Sequence, residues 1–86
     1  MHYTTRRFWN SYDALPEKIQ KTADQCYELL KANSSHPSLH FKKIGSKYWS
    51  VRVGLDHRAL GVEVDNGISW FWIGTHAEYD RLIGKF

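Results

Sequence analysis

Apolar positions follow one rhythm up to about residue 35 and another beyond it. Leu15, Ile19, Ala23, Cys26 and Leu30 recur at helical spacing, which predicts one long amphipathic helix lying on a sheet. Pro16 suits the first helical position, Asp13 and Glu17 suit the positive end of the helix dipole, and Asn33-Ser34-Ser35-His36-Pro37 breaks the pattern. From Leu39 the period drops to two. Leu39 and Phe41 alternate with His40 and Lys42, and after a turn at Gly45-Ser46, Trp49, Val51 and Val53 alternate with Tyr48, Ser50 and Arg52. Gly54 to His57 forms another turn, Arg58 to Val64 a third strand, Asp65-Asn66-Gly67 a hairpin, and Ile68 to Ile73 the last strand. Thr75-His76-Ala77-Glu78 matches a capping box, so a short helix starts there, packs through Tyr79, Leu82 and Ile83, and ends at Gly84. Ahead of all this, Thr4 to Trp9 mixes β-formers with arginines and reads as a strand or extended arm.

These elements imply an α+β fold: an antiparallel four-stranded meander packed by an N-terminal helical segment, with a short C-terminal helix. With 86 residues there is room for one core, so 1–86 is expected to be a single domain. A hydrophobic share of 42% excludes a disordered tail. No apolar run is long enough to span a bilayer and no signal-like segment follows Met1, so a cytoplasmic protein without a membrane partner is expected. A single cysteine, Cys26, excludes a disulfide scaffold and reads as a small core residue.

Charge changes the picture through its location. The net charge is +3, yet the stretch from His36 to Arg58 alone holds Lys42, Lys43, Lys47, Arg52 and Arg58 against one anion, Asp56. Three of the five histidines, His36, His40 and His57, fall in the same stretch. Such a basic, imidazole-rich segment suits an anionic partner such as nucleic acid, or else forms a solvated face.

Within it, Arg52 and Arg58 sit on adjacent strands, where guanidinium groups can grip phosphate or pair with a carboxylate such as Glu63. His40 and Lys42 share one strand face in this reading, and Lys43 and Lys47 flank the turn as phosphate-attracting cations. His76 opens the last helix, where the dipole disfavours imidazolium and the free N–H groups favour an anion, so it is a candidate acid or base. Trp70 and Trp72 fall on one side of the last strand and Phe71 on the other, for core packing or base stacking. No metal is expected: Pro37 breaks the helical face that would bring His36 and His40 together.

The order of Leu15-Pro16-Glu17-Lys18-Ile19, the basic strand Leu39 to Ile44, Tyr48 to Val53, Asp56-His57-Arg58-Ala59-Leu60 and Ile73-Gly74-Thr75-His76-Ala77-Glu78-Tyr79 resembles the RelE/ParE superfamily of bacterial toxins from type II toxin–antitoxin systems. The most specific pieces are Arg52 and Arg58, six apart, and the Gly-Thr-His step into the last helix. The resemblance implies a microbial-ribonuclease-like fold and, in its RelE, YoeB and YafQ type, metal-independent and cofactor-free cleavage of mRNA on the ribosome by the substrate's own 2′-OH. It implies catalytic roles for Arg58 and His76, helped by Tyr79 or His40, and together with the charge pattern it leads to RNA contacts being expected from Lys42, Lys43, Lys47, Arg52 and His57. A cognate antitoxin, the ribosome and mRNA would be its partners. The ParE branch shares the fold but poisons DNA gyrase without nuclease chemistry, and is the alternative.

Overall fold

The computed structural model describes residues 1–85. Its elements are β1 (His2–Thr4), α1 (Arg6–Asp13), α2 (Glu17–Ala32), a single 3-10 turn (Pro37–Leu39), β2 (Lys42–Ile44), β3 (Tyr48–Val53), β4 (His57–Val64), β5 (Gly67–Thr75) and α3 (His76–Ile83). The strands form one sheet in the order β1-β5-β4-β3-β2. The expected α+β meander is present as β2 to β5, all antiparallel, and a fifth strand extends it: β1 runs parallel to β5, with His2 opposite Ile68 and Thr4 opposite Trp70.

That fifth strand comes with a correction. The expected arm from Thr4 to Trp9 is mostly helix, because Thr5 caps it: the Thr5 hydroxyl accepts the Phe8 N–H at 3.1 Å. Phe8 and Tyr12, four apart, then face the core from α1. The Thr5 N–H still donates to the Trp70 carbonyl at 3.1 Å, so the sheet ends where the helix begins.

In α2 the expected stripe packs on the sheet, with Ala23 and Leu30 buried and Cys26 against the same cluster. Pro16 stands one position earlier than expected, as the cap whose carbonyl accepts from Ile19 and Gln20. Burial pushes the Cys26 thiol up, as suits a packing residue.

The first expected strand residues also move. Leu39 is fully buried at the end of the 3-10 turn, and His40 follows it in the left-handed region, φ 47° and ψ 44°. His36 Nδ1 accepts the Ser38 N–H at 3.2 Å and holds this turn in place of an extended chain. His40 is therefore not on a strand and shares no face with Lys42.

Side chains of β3 and β4 alternate cleanly. Trp49, Val51, Val53 and Ala59 face α1 and α2; Ser50, Arg52, Arg58 and Leu60 face the other way, toward α3. β5 does not alternate throughout. Leu60 pairs with Trp72 but Gly61 pairs with Trp70, which leaves Phe71 as the extra residue of a β-bulge. The bulge turns Trp70 to the helix-covered core and Trp72 to Leu60 and Tyr79 beneath α3, so the two tryptophans lie on opposite faces, contrary to strict alternation. Gly61 makes the step possible. A Cβ there would lie 2.5 Å from Ile68 Cγ2 and 2.9 Å from the Trp70 ring.

Candidate phosphate-binding face

The face of the sheet turned toward α3 carries the cations that sequence alone left scattered. Arg52 and Arg58 are directly opposite one another on β3 and β4. Like charges so placed repel, and neither forms an ion pair among the described residues. Glu63, the obvious carboxylate, is engaged on the opposite face by Lys43 at 3.4 Å and by the Trp49 indole N–H at 3.3 Å. Arg52 Nε and Arg58 Nη1 are buried without a hydrogen-bond partner, and so is the Tyr79 hydroxyl.

α3 supplies that hydroxyl. Its start is fixed by the predicted capping box: the Glu78 N–H donates to Thr75 Oγ1 at 3.2 Å, and Glu78 Oε1 accepts from the Thr75 N–H and hydroxyl at 3.0 and 2.9 Å. Those bonds hold the Glu78 carboxyl below the usual carboxylate range. Gly74, opposite Arg58, lets the junction close; a Cβ there would lie 2.4 Å from Trp72 Cζ2. With the helix so placed, Tyr79 is 3% exposed and the Arg58 guanidinium lies over its ring at 5.8 Å.

His76 completes the group. Its backbone N–H donates to the Asp56 carbonyl at 2.6 Å, and its ring lies 5.9 Å from that of Tyr79. Nδ1 is 3.1 Å from Asp80 Oδ2. In neutral imidazole that contact places the proton on Nδ1 and leaves the Nε2 lone pair free to accept a proton. The ring is 45% exposed, so the lone pair can be reached.

The other predicted cations divide. Lys42 projects from the same sheet face at the β2 edge, across from Ser50, and Lys47 lies over the Tyr48 ring at 5.6 Å. Lys43 projects to the opposite face with its pairing partner Trp49, whereas His57, across from Val53 and Thr75, lies close enough to the start of α3 to act on the Glu78 carboxylate. His40 is exposed beyond the 3-10 turn and joins no part of the arginine group. One cation was missed: Arg7 of α1 lies over the Phe71 ring at 5.6 Å. Its signal was the Thr5 cap followed by Phe8 and Tyr12 at helical spacing.

Two guanidiniums and an imidazole thus border one surface, with the Tyr79 phenol buried beneath them and one imidazole acceptor free. Such a set can bind a tetrahedral anion, stabilise charge gathering on it, and move one proton. Among the described residues no three His, Cys, Asp or Glu side chains gather to hold a metal ion, and no helix is long and apolar enough to cross a membrane.

A family model for the ParE-like toxin domain matches residues 17–81, from the start of α2 through most of α3. The chain belongs to the ParE-like toxin domain family. The resemblance to toxins of the RelE/ParE superfamily of toxin–antitoxin systems therefore holds, and the match spans Arg52, Arg58, His76 and Tyr79 while leaving β1 and α1 outside. Solved structures agree on the fold of this toxin. A chain of the RelB–RelE antitoxin–toxin complex from Methanococcus jannaschii aligns with a TM-score of 0.70 and 20% identity, covering 92% of this chain and 96% of that one. YafQ from E. coli strain BL21(DE3) aligns at 0.70 with 14% identity over the same shares. YoeB from Staphylococcus aureus, solved as a dimer, aligns at 0.65 with 18% identity, over 87% of this chain and 94% of that one. No curated protein sequence matches the toxin.

Proposed function

We propose that this toxin is a metal-independent endoribonuclease that cuts mRNA on the ribosome and so stops translation. The observation that carries the reading is the set of sheltered, unpartnered donors, Arg52 Nε, Arg58 Nη1 and the Tyr79 hydroxyl, beside an imidazole with a free Nε2. A buried donor without a partner costs about 1–3 kcal/mol, so the arrangement suits a ligand that supplies oxygen atoms.

In this reading the scissile phosphate binds between Arg52 and Arg58. His76 Nε2 takes the proton of the adjacent ribose 2′-OH, the 2′-oxygen attacks phosphorus, and the P–O5′ bond breaks, the departing 5′-oxygen taking a proton from water. The products are a 2′,3′-cyclic phosphate and a 5′-hydroxyl end. The guanidiniums stabilise the extra negative charge of the phosphorane, and the buried Tyr79 ring backs the Arg58 guanidinium from beneath. Asp80 keeps the His76 proton on Nδ1, as a carboxylate does for other catalytic imidazoles. Lys42, Lys47 and Arg7 draw the RNA backbone to the rim. His40 has no part in the chemistry, Lys43, on the opposite face, serves docking at most, and His57 lies at the edge of the site beside the start of α3.

The same face suits an antitoxin. An acidic segment laid across Arg52 and Arg58 would satisfy the donors that phosphate otherwise takes, as fits a relative solved as an antitoxin–toxin complex. A ribosomal target places the toxin in the cytoplasm.

The test is to add the purified toxin to ribosomes stalled on a defined mRNA and map new 5′ ends, with His76→Ala and Arg58→Ala in parallel. Cuts within the codon in the ribosomal A site, lost in both variants, are expected. The second reading, a gyrase-binding toxin without nuclease activity, draws on the ParE-like family model and on Tyr79 being only 3% exposed. Intact mRNA together with inhibited DNA supercoiling would select it.

A further inference from the structure

On the opposite side of the sheet, between α1, α2 and the strands, lies a cavity of about 140 Å³. Its size has a cause in the sequence. Ala23 of α2 and Ala59 of β4 both line it and both are buried, so two methyl groups stand where longer side chains would fill the space. Protein interiors seldom keep voids much larger than a water molecule, and an apolar cavity of roughly 150 Å³ stays dry and takes up benzene.

The lining favours a flat guest. Phe8 and Trp70 contribute rings within, and at the mouth Trp9 and Tyr27 remain 46% and 37% exposed. The mouth also holds one polar group with capacity to spare: Asp24 Oδ1 accepts the Tyr12 hydroxyl at 2.8 Å, while Oδ2 has no partner among the described residues. With Thr4, Tyr12 and Tyr27 also in the lining, this is an apolar pocket with a few polar groups, the usual form of a small-molecule site.

We propose that this cavity binds a small aromatic molecule, of one ring or two fused rings, whose single N–H donates to Asp24. The inference does not rest on the nuclease reading, since Arg52 and Arg58 face away from the cavity. A ligand held there touches α1, α2 and the sheet at once, and so raises the stability of the fold by mass action.

The experiment is a titration of the full-length toxin with indole, read by methyl NMR at Ala23, Ala59 and Ile73 and by thermal melting, with benzene as the probe lacking an N–H. Saturable shifts at these methyls, a rising melting temperature and roughly tenfold weaker benzene binding are expected. Asp24→Leu should bring indole down to the benzene affinity. Ala23→Leu, which fills the space, should abolish the shifts at Ala59 and Ile73; Ala59→Val serves the same purpose should Ala23→Leu not fold. No saturable response up to the solubility limit of indole overturns the proposal, as do shifts that persist in a folded, cavity-filled variant.

Discussion

On β3, Val51 and Val53 turn toward α1 and α2, while Ser50 and Arg52 turn toward α3. The two faces so formed treat polar groups differently. On the helix-covered face the buried Trp70 indole donates to His2 Nδ1 at 3.1 Å, and the Trp49 indole finds Glu63. On the α3 face Arg52, Arg58 and Tyr79 each keep a sheltered atom without a partner. One face is organised for stability, and the other keeps a cost that a ligand can repay. A cluster built only to hold α3 in place would have put a carboxylate between the guanidiniums.

Substitutions on the two faces should therefore fail in different ways. Trp70→Ala removes a core side chain that is 3% exposed and should cost about 3–5 kcal/mol in urea denaturation, with the cleavage rate per folded molecule unchanged. Arg58→Ala should do the reverse. The rate should fall roughly 100- to 1,000-fold, as when one charge-stabilising donor is lost, without a lower melting temperature, because a repulsive pair is relieved.

Gly61→Ala sharpens the contrast at the bulge. Its Cβ would press on Ile68 and Trp70 and should cost about 1–3 kcal/mol, measurable as a shift in the urea midpoint. Thr75→Ala removes the cap of α3 and should cost about 1 kcal/mol, while the NMR signals of His76 and Tyr79 broaden as the helix start frays.

The smallest effect is one of pH. Burial, joined by the N-terminal ammonium and Lys31, holds His2 below its usual 6.5. The unfolded chain therefore binds that proton more readily than the folded one. Stability from this group is complete above pH 6.5 and declines as pH falls below it. Urea midpoints at pH of about 7.5 and 5.5 should differ in the parent and differ less in His2→Phe.

Much of this architecture was legible because its signals are local. The stripe from Leu15 to Leu30, the Asp65-Asn66-Gly67 turn and the Thr75–Glu78 box each lie within a few residues and met no tertiary override. The misreadings arose where a local side-chain cap outweighed alternation, as at Thr5 and His36, or where a contact distant in sequence decided. The side of the sheet that Trp72 faces depends on the pairing of β5 with β4 across the bulge, and the isolated Gly61 within a strand was its one visible sign. His40 left the strand because His36 and Ser38 close a turn that buries Leu39, a tertiary demand that alternation of polar and apolar residues does not encode. In the site, Arg52, Arg58, His76 and Tyr79 were legible as residue types. Their convergence depended on strand register and on where α3 lies, as did the separation of Lys43 from them.

The central claim is that Arg52 and Arg58 form an anion site on the α3 face. It is tested most directly by following the arginine Nε–H signals in ¹⁵N NMR while the full-length toxin is titrated with a ribonucleoside 3′-phosphate. The account predicts saturable shifts of Arg52 and Arg58 with Arg6 and Arg81 unmoved. Shifts of equal size at all four, or none at Arg52 and Arg58, would contradict it.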